Sequence, residues 1–181
     1  MNDSKTTDLS SFHQAIIDHL KSGLDQNVTV DIYDNAFEGN SIPTPAALIQ
    51  IAEMGEGQDI GDDRCPLMVG VSVHCVLSTE TPDVQLQIRN FAAQVIRLVR
   101  RQLFGLAGAV SRPIDLDAMP GAVKEGSDEV PGFESWVVEF NQTLYLGESV
   151  WKPEGVTPSR VYIGISPEIG IDHEPEYEQV V

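Results

Sequence analysis

The chain has 181 residues, of which 41% are hydrophobic and 22% charged, enough for one domain with a substantial core and too apolar for disorder. Its 11 Lys and Arg face 28 Asp and Glu, a formal charge of −17. A surface that acidic repels phosphate backbones and anionic lipid, which argues against a reader of duplex DNA. No apolar run reaches the length of a membrane span.

The opening MNDSKTTDLSS is polar and does not read as a secretory signal. Residues 10–24, SSFHQAIIDHLKSGL, repeat apolar positions Phe12, Ile16, Ile17, Leu20 and Leu24 at helical spacing, with Ser10 or Ser11 as the expected cap. VTVDIYD (28–34) alternates as a strand with Val28, Val30 and Ile32 on one face. PAALIQIAEM (45–54) predicts a second strand, and GEGQDIGDD (55–63) an acidic surface loop. The strongest strand pattern is PLMVGVSVHCVLS (66–78), where Leu67, Val69, Val71, Val73, Cys75 and Leu77 point one way.

A second helix is expected from Thr81 as cap and Pro82 as first helical residue to an end at Gly105. Its apolar stripe is Val84, Ile88, Phe91, Val95, Leu98, Val99 and Leu103. Residues 105–133 are rich in Gly, Pro and Asp and read as a long excursion, with at most a short strand near 109–116. ESWVVEFNQTLYLGE (134–148) is again a long alternating strand, with Trp136, Val138, Phe140, Leu144 and Leu146 on one face. After a turn at KPEGVTP, RVYIGIS (160–166) predicts a last short strand, followed by an acidic tail, 167–181. Early strands joined by short loops and a helix before the later pair indicate an α+β domain: a mixed, largely antiparallel sheet packed against two main helices. The whole of 1–181 is read as one domain.

Chemistry is sparse. There is no Walker A loop, HExxH, GxSxG or CxxC. His13 and His19 lie six residues apart, on different faces of their helix. His74 and Cys75 are strand neighbours that point to opposite faces, so they do not make a two-ligand site. Cys65 and Cys75 are roughly 33 Å apart on an extended chain, beyond disulfide reach, and a reducing cytosol is the simple reading. Asp115 and Asp117, and the loop residues Asp59, Asp62 and Asp63, supply too few oxygens at the wrong spacing for a calcium site. No metal, cofactor or catalytic group is assigned, and the chain is not read as an enzyme.

Two features remain as candidate contacts. Arg97, Arg100 and Arg101 cluster at the end of the second helix in an otherwise acidic chain. They either complement the helix dipole and pair within the chain, or face the acidic surface of an identical neighbour. The ending SPEIGIDHEPEYEQVV gathers Asp172, His173, Glu174 and Tyr177 in a few residues. Pro175 is expected to stop that stretch from continuing as a helix, and Ile169, Ile171 and Tyr177 are candidate anchors on a neighbour.

The order of these elements resembles the tail-terminator proteins of contractile-tailed, Mu-like bacteriophages and prophages, distant relatives of the lambda-type tail terminator. The resemblance runs through VTVDIYDNAF, PTPAALIQIAEM, PLMVGVSVHCVLS, TPDVQLQIRNFAAQVIRLV and ESWVVEFNQTLYLGES to the ending RVYIGISPEIGIDHEPEYEQV. Residues 105–132 depart most from it. It implies a structural protein that caps the finished tail tube as a homohexameric ring, stops tube and sheath polymerisation and offers a surface to a head-completion protein. It also implies a lumen through which DNA passes without specific binding. The place of action would be the virion tail, after assembly in the host cytoplasm. Two other classes stay open: a head-completion or neck connector protein, and a small cytosolic metal-dependent enzyme using Asp115, Asp117 or the Asp172/His173 pair.

Overall fold

The computed structural model describes residues 8–34, 42–121, 124–125, 128–129, 132–151, 160–167 and 169–179. The KPEGVTP turn and part of the 105–133 segment lie outside them. Two compact units result, Met1–Val150 and Trp151–Val181.

In the first unit, helix α1 (Leu9–Gly23) is capped by Asp8, two or three residues earlier than the serines suggest. Asp8 Oδ1 accepts from the Ser11 backbone N–H at 2.7 Å, and Ser11 Oγ accepts from the Asp8 N–H at 3.0 Å. This reciprocal pair satisfies two end groups at once, and the Ser11 donors hold the Asp8 carboxyl below its usual range. Phe12, Ile16, Ile17 and Leu20 form the buried stripe.

The strands follow as β1 (Thr29–Ile32), β2 (Ala46–Glu56), β3 (Cys65–Ser78), then, after helix α2 (Val84–Val99), β4 (Ile114–Gly121), the short pair β5 (Lys124–Glu125) and β6 (Asp128–Glu129), and β7 (Phe133–Leu146). β1, β2, β3, β7 and β4 form one sheet in that order; β1 and β2 are parallel and every other pair antiparallel. This is the expected α+β architecture. β4 sits inside the segment read as mostly loop. It was hard to see because it is an edge strand with Pro120 inside it and a register irregularity between Ile114 and Asp117, features that suit an edge and weaken a strand pattern.

The core lies between the helices and one sheet face. Val69, Val71, Val73, Cys75 and Leu77 of β3 and Val138, Phe140 and Leu144 of β7 meet Phe12, Ile16 and Leu20 of α1 and Ile88, Phe91, Val95 and Val99 of α2. Val28, Val30 and Ile32 join the same cluster. Gly23 lets α1 approach α2: a Cβ there would stand 2.5 Å from Leu98 Cδ2. On the opposite sheet face, a smaller group of Ile42, Ala46, Leu48 and Val76 packs with Tyr33 and Phe133.

Helix α2 differs from expectation at both ends. Thr81 and Pro82 precede it in a turn; Asp83 holds the cap position in left-handed backbone, φ 52°, with no capping bond from its side chain. It stops at Val99 rather than reaching Leu103, because the chain turns left-handed at Arg101 (φ 64°) and Phe104 (φ 48°). That turn drops Phe104 into the core against Phe12 and Phe140, at ring distances of 6.3 and 6.4 Å. Burying an aromatic is worth about 1.5–3 kcal/mol, comparable with the roughly 2–4 kcal/mol that two left-handed residues cost.

In the second unit, β8 (Tyr162–Ile163) pairs with β9 (Glu178–Gln179), so RVYIGIS is not a strand of the main sheet and only two of its residues are paired. Between them Ile171–Glu176 forms a 3-10 turn. Pro175 lies within that turn rather than preventing it: the bonds His173 N–H to Gly170 O and Tyr177 N–H to Glu174 O leave the proline nitrogen unneeded.

Candidate functional site

The titratable residues do not converge. Among the described residues no group of three His, Cys, Asp or Glu is placed to hold a metal ion. His13 and His19 are half-buried, and each directs Nε2 at a main-chain oxygen, Ile49 O at 3.4 Å and Leu98 O at 3.0 Å. The second contact serves one of the end carbonyls that α2 leaves unpaired. His74 and Cys75 do point to opposite faces. Cys75 is in the helix-side core, where burial pushes its thiol up to about 12, and Cys65 is exposed. His74 lies under the Tyr33 ring, 4.2 Å between centroids, with Nε2 3.3 Å from Gln50 Oε1 and Nδ1 without a partner. Burial lowers its pKa to about 4 and keeps the ring neutral.

The carboxylates are used locally. Asp59 accepts from the Gly61 N–H. Asp62 is buried and bridged by Arg64 at 2.6 Å, which holds its carboxyl below the usual range. Arg64 also donates to Gly108 O and lies over the Tyr145 ring, so this pair ties two loops to the end of β7. Asp115 accepts from Asn141 Nδ2 and Asp117 from the Ala118 N–H; both are exposed. Asp117 stands opposite Glu139 in register, a like-charge pair that a sheet tolerates only in solvent. An open depression of about 450 Å³ is lined by Val28, Pro45, Leu77, Asn90, Phe91 and Gln94 among others. Asp25 is the only acidic or basic side chain in its lining, which gives no acid and base pair.

Sequence reasoning passed over Gln142. It falls on the core-facing side of β7, is fully buried, and donates through Nε2 to Ser111 O at 2.6 Å and Gln102 O at 3.2 Å. It pins the crossing from α2 to β4 across the end of the core. The signal was its parity with Trp136, Val138, Phe140 and Leu144 in an otherwise apolar register.

Of the arginine cluster only Arg97 lies in the last turn of α2; Arg100 caps the helix and Arg101 is past its end. Arg89 lies over Trp136 at 5.1 Å and bonds to Gln85. Arg97, Arg100 and Arg101 are exposed, and among the described residues none of them has an ion-pair partner. Arg101 occupies the left-handed position just past the helix end, where glycine is the usual residue.

The C-terminal candidates divide. Tyr177 is half-buried inside its own unit: its ring covers Gly164, where a Cβ would stand 2.5 Å away, and its hydroxyl accepts from Gly170 N–H at 2.7 Å and donates to Gly170 O. Asp172 and Glu174 are exposed, and His173 is half-exposed. Around them Val161, Tyr162, Ile163, Ile165, Ile169 and Ile171 are all exposed, Ile165 by 76% and Ile171 by 81%.

Among the described residues no helix is long and apolar enough to cross a membrane. No protein-family model matches the sequence, and no curated protein matches it. Among solved structures, the chain is similar to the sheath/tube terminator, in its extended state, of an extracellular contractile injection system, PVC. Identity is 13%, the TM-score 0.31, and the match covers 93% of this chain and 68% of the other. A likeness at this level is too slight to transfer a role.

Proposed function

We propose that this chain is a structural protein that terminates a phage-type contractile tail, assembling as a homohexameric ring on the end of the tube. The observation that carries its self-association is the arginine end of α2. Three exposed cations without a described intrachain partner, in a chain of formal charge −17, are a surface suited to an acidic partner. The assignment of the ring to a tail rests on the resemblance of the sequence to tail terminators.

In this reading the ring ends growth of tube and sheath and offers its outer face to a head-completion protein. DNA passes its acidic lumen without being held, since carboxylates repel phosphates. Arg97, Arg100, Arg101, Asp172, His173 and Glu174 belong to the assembly surfaces rather than to a catalytic centre, and Tyr177, turned inward over Gly164, shapes the unit that carries the last three. The protein would assemble in the host cytoplasm and remain in the virion tail. Deleting the gene from a phage or prophage that carries it should give tails of uncontrolled length in negative-stain electron micrographs. Tails of normal length that fail to join heads would instead identify a neck connector.

A further inference from the structure

Among its described residues the C-terminal unit has no core of its own. Within Trp151–Val181, none of the residues whose burial is described is buried, and six apolar side chains between Val161 and Ile171 face solvent. Its described order includes a two-residue strand pair, the 3-10 turn Ile171–Glu176 and the Tyr177 ring folded over Gly164. A patch of this kind marks a contact surface rather than a finished fold. The same unit carries six carboxylates, Glu154, Glu168, Asp172, Glu174, Glu176 and Glu178, against Lys152 and Arg160.

The structure assigns this unit a partner: we infer that it docks on the arginine end of α2 in a second copy of the chain. The two surfaces lack complementary things. One has exposed isoleucines and, close to them in sequence, the exposed carboxylates Asp172, Glu174 and Glu178; the other has Arg97, Arg100 and Arg101 without described ion pairs, set beside the partly buried Leu98 and Leu103. Apolar side chains meeting inside a rim of opposite charges is the usual anatomy of a specific interface. Identical copies satisfy both needs at once, because every copy offers one surface of each kind. Left-handed backbone at Arg101 fits this: glycine there would relieve the strain, and the cation is present in its place. The inference rests on the proposed self-association but not on the tail assignment.

The test is a charge swap in the full-length chain. One variant carries Arg97→Glu, Arg100→Glu and Arg101→Glu; the other carries Asp172→Arg, Glu174→Arg and Glu178→Arg. Thermal melting of each establishes that the N-terminal unit is folded; for any that is not, Arg→Gln, or Asp→Asn with Glu→Gln, replaces it and is read by weakened association alone. Analytical ultracentrifugation should show wild-type association, and each variant alone weakened about 100-fold. An equimolar mixture should recover association with 1:1 composition, since each unlike contact then pairs opposite charges. Wild-type protein that stays monomeric, a single variant that associates normally, or a mixture that does not recover would overturn the inference. Recovery only when both sets of changes are in one chain would show docking within the chain and overturn it too. A mixture that stops at a heterodimer would confirm the contact and exclude the ring.

Discussion

The two units of this chain solve the problem of apolar surface in opposite ways. The N-terminal unit closes β3 and β7 under α1 and α2, so that residues such as Phe12, Val73 and Phe140 lose essentially all contact with water. The C-terminal unit has comparable side chains, Ile163, Ile165, Ile169 and Ile171, and leaves each of them more than half exposed. The difference is one of partners, not of residue type. A five-stranded sheet offers a face broad enough for two helices, whereas paired strands of two residues offer none. Stability is therefore concentrated in the first unit, and association chemistry in the second.

That comparison can be broken most directly by truncation. Phe140→Ala should cost about 3–5 kcal/mol in urea unfolding followed by circular dichroism, because it leaves a cavity beside Phe104. Ile165→Ala should stay within about 0.5 kcal/mol in the same experiment at concentrations where the protein is monomeric. Similar losses for the two would mean that the C-terminal unit has a buried contact of its own.

Acid should act on the first unit through His74. Burial lowers its pKa to about 4 from the usual 6.5, so the unfolded chain binds a proton between those values while the fold does not. Its contribution is therefore complete above pH 6.5 and is lost as pH falls toward 4, by about 3 kcal/mol. His74→Gln should flatten the dependence of the melting temperature on pH across this window. An unchanged slope would show that the ring is not held neutral under Tyr33.

The smallest effect joins the two units. Arg101→Gly should stabilise the N-terminal unit by up to about 1 kcal/mol, since glycine occupies left-handed backbone without strain. It should weaken self-association at the same time. A loss of stability would mean that the Arg101 side chain supports the fold rather than a contact.

Much of the fold was legible before the structure. The alternation Leu67 to Leu77 identified the face of β3 that meets the helices, because a strand has only two faces and one of them is apolar throughout. The buried stripes of α1 and α2 followed from helical spacing in the same way. Helix ends were less legible. The start of α1 depends on a reciprocal bond between Asp8 and Ser11, and α2 ends ahead of a left-handed turn that packs Phe104 against the distant Phe12. Gln142 was hidden because its polarity disguises a core position whose bonding groups, Gln102 O and Ser111 O, are 40 and 31 residues away.

The candidate contacts show the same division. Local sequence was sufficient to place the arginines at a helix end and the acidic residues in the tail, since both depend on spacing over a few residues. It could not show that Arg89 is engaged by Trp136 while Arg97, Arg100 and Arg101 are not, nor that Tyr177 turns inward over Gly164. Nor could it separate RVYIGIS from the main sheet, because an alternating run has the same pattern whether or not a broad sheet receives it. The sequence by itself determined which faces are apolar and where charge collects, which are properties of short-range order. Only the tertiary structure decided which of those faces found partners, because burial is settled by groups that are distant along the chain and close in space.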